Sequence, residues 1–420
     1  MVADGSQGTL GDKYVWPDEG LMRIPDWVYT SEEIYEAEIE RIFKGATWNF
    51  VGFEAEIPNA GDFRRSYVGP VPVIVSRAED GSIHVMENRC RHRGAEFCRE
   101  LRGNTPEFMC PYHQWTYDLK GKLIAVPFRR GIKGAGGMPK DFDMALNGLV
   151  TLNVTTRGGV IFASFSDTIE SIEDYLGPEI LGDFDTTFDG RSIRIMGYWR
   201  NSIRGNWKLY HENLKDPYHA TLLHTYLVTF GLMVAGQRSA MIADATGRHG
   251  TMASAKGDED AEAKAEGIGE MKKYEKDYHL LDDRVVRYRP EFDSEWTVTM
   301  QTIWPNLIVQ RELNTLGIRQ IVPRGPNMLD MYWVMFGYTD DDAEMNDLRL
   351  CQANLMGPAG YLGAEDNEAI AFVQDGFRRG HTKTGIVAMD PDEEGTSSSL
   401  ISESAIRALY RHYREEMDLQ

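Results

Sequence analysis

The 420-residue chain has little cysteine: Cys90, Cys98, Cys110 and Cys351 are irregularly spaced. Four thiols in a chain of this length are too few for a disulfide framework, so we expect them to be reduced and free to bind metal. No apolar run approaches the roughly 18 residues needed to span a bilayer, and residues 1–16 lack the charged-then-apolar pattern of a secretory signal. These absences predict a cytoplasmic protein that makes no membrane contact.

A basic excess is also missing, because the formal net charge is −20 at pH 7. Nucleic acid or an anionic membrane would require a basic face, so the charge argues against both as partners. A nucleotide-binding glycine fingerprint is absent as well, since the glycine-rich residues 131–137 neither follow a predicted strand nor open a helix. If the reaction uses a nicotinamide coenzyme, a partner protein must therefore bind it.

Histidine and carboxylate side chains are concentrated in residues 206–224, where Asp216, His219 and His224 fall within nine residues. Two neutral imidazoles and one carboxylate around a divalent metal leave positions open for oxygen, as in non-haem Fe(II) oxygenases. On a regular helix the two histidines would point about 140° apart. Pro217 predicts that the helix kinks or restarts there, which removes this obstacle. The alternative is an amphipathic core helix whose histidines bind no metal.

A second motif lies among short β-branched and aromatic runs that are separated by turn signals and predict an antiparallel β domain. It consists of a Cys-x-His loop at Cys90 and His92 and, after 17 further residues, a Cys-x-x-His loop at Cys110 and His113. Each loop offers one thiolate and one imidazole, whereas a zinc finger groups cysteines with cysteines. Two such loops suit a [2Fe-2S] cluster in which the cysteines hold one iron and the histidines hold the other. Zinc is the alternative.

The last part of the chain alternates strand and helix signals, which predicts an α+β domain with an antiparallel sheet. Strands are predicted at 296–303, 307–312, 316–322 and 331–338, and helices at 344–355, 367–379 and 402–417. The acidic, alanine-rich residues 253–267 lack an apolar face, so we predict a mobile surface loop there. Asp366 stands just before a predicted helix, where it could cap the helix, bind metal, or do both.

Taken together, the two motifs resemble those of the large (α) subunits of Rieske non-haem iron ring-hydroxylating oxygenases. The resemblance extends over nearly the whole chain. The resemblance implies an α+β fold with an N-terminal all-β Rieske [2Fe-2S] domain and an antiparallel-sheet, helix-grip (START-like) catalytic domain. The implied boundaries are 1–46 for an N-terminal arm and helix that pack on the catalytic domain, 47–157 for the Rieske domain and 158–420 for the catalytic domain.

The resemblance also implies a role for each residue of the two motifs. The Gly-Pro-Ala-Gly turn at 357–360, followed by an acidic pair, matches the region that holds the family's carboxylate ligand. Asp216 matches the family's bridging aspartate, which hydrogen-bonds an iron ligand and a Rieske histidine of the neighbouring subunit. The cluster ligands are then Cys90, His92, Cys110 and His113, and the ligands of the mononuclear Fe(II) are His219, His224 and Asp366.

Within the family, residues 206–210, 215–225 and 352–360 look most like oxygenases for aromatic acids, of the anthranilate 1,2-dioxygenase and salicylate hydroxylase type and, more distantly, terephthalate dioxygenases. In the terephthalate group arginines meet the substrate's carboxylates. Arg319 matches one of them, and Leu400 replaces the other, which suits a monocarboxylate. The alternative for Arg319 is an ordinary ion pair between strands. Met356 falls where the family places a pocket-lining residue.

The resemblance implies a terminal oxygenase component that hydroxylates an aromatic monocarboxylic acid, of the anthranilate or salicylate type, to catechol. It would use O2 and electrons from NADH, delivered by a separate reductase and a ferredoxin. A small β subunit is expected, in a trimer or an α3β3 hexamer. The alternatives are a salicylate 5-hydroxylase, a terephthalate 1,2-dioxygenase, and an electron carrier in which only the Rieske domain works.

Overall fold

The chain folds into two units, Phe43–Glu170 and a larger one that combines the residues up to Ile42 with those from Ser171 onwards. The computed structural model describes residues 10–234, 236–259, 261–272 and 280–419. In these residues no helix is both long and apolar enough to cross a membrane. The first elements are α1 Leu10–Lys13, β1 Arg23–Pro25, α2 Trp27–Thr30 and α3 Glu32–Glu38.

The smaller unit is all-β, and its strands pair antiparallel, as the sequence predicts. Seven strands form one sheet in the order β2-β11-β10-β5-β4-β3-β6, and three form a second sheet in the order β7-β8-β9. The strands are β2 Asn49–Phe53, β3 Asp62–Val68, β4 Val71–Arg77, β5 Ile83–Glu87, β6 Arg102–Asn104, β7 Phe108–Met109, β8 Thr116–Tyr117, β9 Leu123–Ala125, β10 Thr151–Arg157 and β11 Val160–Ser164.

A seven-stranded antiparallel sheet in the order β12-β18-β17-β16-β15-β14-β13 forms the centre of the larger unit. Its strands are β12 Ile193–Ile203, β13 Gln237–Ala243, β14 Gly250–Glu259, β15 Val298–Ile303, β16 Leu307–Glu312, β17 Thr315–Pro323 and β18 Leu329–Tyr338, while β19 Thr384–Ile386 pairs with β1. The helices are α4 Ile172–Thr187, α5 Trp207–Lys215, α6 Pro217–Leu223, α7 Thr225–Thr229, α8 Ala261–Glu270, α9 Ala343–Met356, α10 Tyr361–Arg379 and α11 Ser404–Met417.

The two faces of this sheet carry different helices. On one face α4 packs through a buried ion pair between Asp183 and Arg311 and a hydrogen bond of 3.0 Å from Gln301 Nε2 to a backbone oxygen of α4. On the opposite face Arg319 donates a hydrogen bond of 2.9 Å to the hydroxyl of Tyr210 in α5. Because side chains alternate along a strand, each strand contributes to both layers. We refer to the face that carries Arg319 as the site face.

The prediction of a mobile loop at 253–267 is wrong. Gly250–Glu259 is strand β14, which pairs with β13 and β15, and Ala261–Glu270 is helix α8. Within the predicted loop, Ala253, Ser254 and Ala255 are buried, which their small side chains do not reveal. Alanine, glutamate and lysine are strong helix formers, so α8 forms without a continuous apolar stripe.

The predicted position of Asp366 at a helix start is also wrong. Helix α10 begins at Tyr361, with Gly360 as its N-cap residue, so Asp366 lies in the second turn and is almost fully buried. The Gly-Pro-Ala-Gly turn does separate the helices, but the new helix starts directly after it. Asp366 therefore projects from the body of a helix and takes no part in capping.

Asn206 fixes the start of α5, and its replacement should destabilise the fold. The buried side chain of Asn206 accepts the Lys208 N–H (3.1 Å) and donates to the backbone oxygens of Tyr29 (3.2 Å) and Pro326 (3.0 Å). Asn206→Ala should lower the free energy of unfolding by roughly 2 kcal/mol or more, because it removes a helix cap and leaves buried backbone groups without hydrogen-bond partners. Denaturant unfolding measures the loss. Asn354→Ala, at an exposed position, is the control and should change the stability by less than about 0.5 kcal/mol.

Candidate functional site

The histidine-rich segment contains the break that Pro217 predicts. Helix α5 ends at Lys215, and α6 begins at Pro217, with the backbone of Asp216 at φ −107° and ψ 84°. The side chain of Asp216 caps the new helix by accepting the backbone N–H of His219 at 3.2 Å. The restart turns His219 and His224 toward one point, with 5.3 Å between their ring centroids.

Asp366 of α10 completes a group of three with these histidines. Their potential ligand atoms all lie within 4.8 Å of one another. Asp366 Oδ1 is 3.0 Å from His224 Nε2 and 3.5 Å from His219 Nε2. In the part of the chain that the structure describes, no other three His, Cys, Asp or Glu side chains converge this closely. The arrangement can hold one metal ion.

Hydrogen bonds set the tautomer of both imidazoles. Nδ1 of His219 donates to the backbone oxygen of Asp216 at 2.6 Å, and Nδ1 of His224 donates to Glu365 Oε2 at 2.8 Å. Each ring therefore directs its Nε2 toward Asp366, as a metal ligand requires. The side-chain amide of Asn213 lies 3.4 Å from Nε2 of His219 and donates to Asp366 Oδ1 at 3.1 Å. Glu365 was visible in the sequence only as part of an acidic pair. Its contact with His224 depends on the packing of α10 against the histidine segment.

The electrostatics of the group suit a cation. Burial lowers the pKa of His219, but hydrogen bonds to Asp216 and Asp366 outweigh it and raise this pKa to about 10. Burial raises the pKa of Asp366, yet His219 and His224 hold it well below its usual range. Without metal, Asp366 lies between two imidazoles whose pKa values are both raised, and a divalent cation can take the place of the protons. Two histidines and a carboxylate fit mononuclear Fe(II).

In the smaller unit, the two Cys-His loops have matching backbone turns. The N–H of Gly94 donates to the oxygen of Cys90, and the N–H of Gln114 donates to the oxygen of Cys110, each at 2.8 Å. Gly94 and Gln114 both have left-handed backbones, with φ of 72° and 55°. A non-glycine residue in this region is uncommon and costs energy, so the loop shape is strongly imposed.

The side chains of these loops form one pair of sulfurs and one pair of imidazoles. The ring centroids of His92 and His113 are 4.5 Å apart, and Nδ1 of His92 is buried with no hydrogen-bond partner among the described residues. Burial raises the pKa of the Cys110 thiol, and contact with the Cys90 thiol raises it further. Paired sulfurs, paired imidazoles and an unpartnered ring nitrogen fit a [2Fe-2S] cluster of the Rieske type.

Tyr117 is a further residue of this centre that the sequence did not reveal. Its hydroxyl lies 3.3 Å from Cys90 Sγ and accepts the backbone N–H of Arg91 at 3.1 Å. Burial raises the pKa of Tyr117, so the hydroxyl keeps its proton and can donate to the sulfur. Hydrogen bonds to cluster sulfurs are one of the means by which proteins set a reduction potential.

Arg319 is fully buried on the site face. Its guanidinium lies 4.2 Å from the ring centroid of Trp333 and bonds Tyr210 through Nη1, while Nε and Nη2 have no hydrogen-bond partner in the described residues. The alternative of an ion pair between strands is not found in the described part of the chain. Met356 is fully buried as the last residue of α9, and Leu400 is also buried.

An all-β unit with paired Cys-His loops and a helix-grip unit with a two-histidine, one-carboxylate group define a Rieske non-haem iron oxygenase. Comparison with known proteins agrees. Residues 47–135 match the Rieske [2Fe-2S] domain, and residues 190–419 match the catalytic domain of the ring-hydroxylating α subunits. The chain belongs to the α subunits of the ring-hydroxylating oxygenases and carries their two centres, a Rieske cluster and a mononuclear iron.

Three similar proteins indicate its place in this family. The large oxygenase component of salicylate 5-hydroxylase from Ralstonia sp. is 45% identical over 96% of both chains. The anthranilate 1,2-dioxygenase large subunit from Burkholderia cepacia is 42% identical over 96% of this chain and 95% of that one. The structure of naphthalene 1,2-dioxygenase from Rhodococcus sp. bound to indole superposes with a TM-score of 0.76, at 25% identity over 95% of this chain and 96% of that one.

The metal-free protein should lose stability as the pH rises from about 7 to 10. The pKa of His219 in the folded protein, about 10, lies above the ordinary value near 6.5. Its imidazolium therefore stabilises the fold fully below about pH 6.5, and this contribution falls with rising pH until it is lost near pH 10. Melting temperatures of chelator-treated protein across this range measure the effect. His219→Gln should remove that part of the pH dependence; superimposable profiles would contradict the assignment.

Proposed function

We propose that this terminal oxygenase hydroxylates an aromatic monocarboxylic acid, anthranilate or salicylate, to catechol. The observation that carries the proposal is the buried guanidinium of Arg319, two of whose donors lack a partner in the described residues. An unpaired buried charge is costly, and a carboxylate that binds both free N–H groups removes that cost. The names of the two relatives above, which specify anthranilate and salicylate, support the same class of substrate.

The surroundings of Arg319 favour a substrate with a single carboxylate. Trp333 stacks on the guanidinium and Tyr210 accepts a hydrogen bond from Nη1. The edge of the guanidinium that carries Nε and Nη2 therefore has a fixed direction. By the resemblance, Leu400 takes the place of the second arginine of the terephthalate group, and an apolar side chain there would not pair with a second carboxylate. An apolar ring with one acidic group therefore suits the site better than a dicarboxylate.

The ligand roles of the clustered residues form part of the proposal. His219, His224 and Asp366 would hold Fe(II), and Cys90, His92, Cys110 and His113 would hold the cluster. When bound, the ferrous ion activates dioxygen and the cluster supplies electrons one at a time. The chain's contribution is to hold the two Nε2 atoms and one carboxylate in place, and to anchor the substrate's acid group so that the ring has one orientation.

Asp216 is proposed to connect the two centres between neighbouring subunits. Its backbone oxygen and its carboxylate both contact His219, with Oδ2 3.5 Å from Nδ1 of the ring. The side chain of Asp216 is 24% exposed, so it keeps surface for a partner beyond this chain. Electrons would reach the cluster from NADH through a separate reductase and a ferredoxin, and the assembly would be a trimer or an α3β3 hexamer with a small β subunit.

A second candidate keeps the substrate and changes the product. The 45% identity with a salicylate 5-hydroxylase component favours 5-hydroxylation of salicylate as that candidate. Incubation of the complete system with salicylate and with anthranilate separates the two. Catechol supports the first proposal, and 2,5-dihydroxybenzoate from salicylate supports the second. Incubation of the same system with terephthalate tests the third candidate, terephthalate dioxygenation.

His219→Ala should remove the mononuclear iron and leave the cluster intact. The cluster residues belong to the other unit, so acid-labile sulfide and the visible absorption of the cluster should stay at the wild-type level while one iron per chain and all hydroxylation are lost. His84→Ala is the control, since His84 is a half-buried residue of β5 whose Nε2 lies 2.8 Å from Ser82 Oγ. Wild-type turnover by His219→Ala would mean that the chain is only an electron carrier.

Arg319→Met should weaken the binding of benzoate-type acids by about a hundredfold. The variant keeps the length of the side chain but removes two charge-assisted hydrogen bonds, together worth about 3 kcal/mol. Anaerobic titration calorimetry measures the affinity. Benzamide, which has no charge, is the control ligand and should bind wild type and variant about equally. Equal loss for both ligands would indicate a damaged pocket and would contradict the assigned anchor.

A further inference from the structure

Glu312, the last residue of β16, is a buried carboxylate without a cation. It is 5% exposed, and it makes no ion pair in the described part of the chain. Its hydrogen bond comes from the side-chain amide of Gln310, with Nε2 2.9 Å from Oε2. One neutral hydrogen bond does not offset the cost of burying a charged carboxylate. A ligand can provide the additional hydrogen-bond donor that the Glu312 carboxylate lacks.

The strand register places Glu312 on the site face together with Arg319. Ile308 lies directly opposite Arg319 in the β16–β17 pair, so the two share a face. Gln310 and Glu312 follow Ile308 at intervals of two residues and point the same way. Arg311 points to the other face, where it pairs with Asp183 of α4. A buried cation and a buried anion therefore stand on one face of the sheet.

The two charges influence each other although they do not form an ion pair. Burial raises the pKa of Glu312, while Gln310, Arg319 and His224 oppose this rise and Asp366 adds to it. Glu312 thus lies within electrostatic reach of both the proposed substrate anchor and the metal group. A molecule that carries both an acidic group and a hydrogen-bond donor would satisfy both charges.

Tyr226, the second residue of α7, adds a donor to this place. Its hydroxyl is buried and has no hydrogen-bond partner among the residues the structure describes. The ring of Tyr226 lies 6.1 Å from that of His224, centroid to centroid, and within electrostatic reach of Glu312 and Arg319. The phenol stays protonated and can donate one hydrogen bond. An amino or hydroxyl group can donate to Glu312 and accept from Tyr226, whereas a halogen or a carboxylate can only accept.

From these contacts we propose that Glu312 makes the site selective for benzoates that carry an amino or hydroxyl substituent, by accepting a hydrogen bond from that substituent while Arg319 holds the carboxylate. This inference rests on the proposed function, because it takes Arg319 as the anchor. Benzoate would leave the buried Glu312 carboxylate without the hydrogen bond from a substituent and would therefore bind more weakly. Dicarboxylates would be repelled by the like charge of Glu312. Gln310 positions Glu312 through the hydrogen bond that its side-chain amide donates.

The test compares affinities for matched ligands, measured anaerobically by titration calorimetry on the holoenzyme. Wild type should bind at least one of the 2-, 3- and 4-aminobenzoates about ten- to a hundredfold more tightly than benzoate, the range expected for a hydrogen bond to a charged group. Glu312→Leu should bring this ratio close to one without weakening benzoate. Glu312→Gln should keep part of the preference and bind terephthalate at least about tenfold better than wild type does.

The control and the outcomes separate this inference from the proposed function. Gln301→Leu replaces another buried polar side chain of the same sheet, on the face that α4 covers, and should keep the wild-type ratio. Melting temperatures show whether each variant is folded. If Arg319→Met loses acid binding but both Glu312 variants keep the wild-type ratio, the role of Glu312 is overturned and the proposed function stands. If Arg319→Met binds benzoate normally, the proposed function fails first.

Discussion

The site depends on the helix restart at Asp216 and Pro217. A continuous helix would separate His219 and His224 by about 140°, and no single ion could reach both. Proline removes one backbone donor, and the Asp216 side chain then caps the new helix through the His219 N–H. The same aspartate fixes the His219 tautomer through its backbone oxygen. This break thus sets the direction of the two imidazole rings, turns Nε2 of His219 toward Asp366, and places the Asp216 carboxylate beside the metal group.

The second property of the active region is that it contains buried charged side chains whose hydrogen bonds and ion pairs within the described part of the chain are incomplete. Arg319 and Glu312 are buried in the larger unit, where, among the described residues, two nitrogens of Arg319 have no hydrogen-bond partner and Glu312 makes no ion pair. Asp366 is buried between the imidazoles of His219 and His224. Proteins keep such groups where a metal or a ligand completes them, because the alternative is a large desolvation cost. On the far face, Asp183 and Arg311 form an ion pair with each other and support the packing of α4.

Features that depend on residues close together in the chain were predicted correctly from the sequence. The two Cys-His loops, the break at Pro217 and the four C-terminal strands follow from nearby residues, and the structure has them close to the predicted bounds. Contacts between distant segments could not be read in this way, such as Glu365 with His224 and Tyr117 with Cys90. The error at 253–267 has the same origin, because pairing of β14 with strands on both sides overrides a composition typical of loops.

The smaller unit interrupts the larger one in the chain, and this has a consequence for biosynthesis. Glu38 accepts hydrogen bonds from Lys208 at 2.5 Å and from Tyr413 at 2.6 Å, and Arg41 bonds the backbone oxygen of Met417. The N-terminal segment therefore acquires its final partners only when the last helix leaves the ribosome. The interrupting unit is complete far earlier, so the cluster domain can fold and receive its iron and sulfide while the oxygen-activating domain is still being translated.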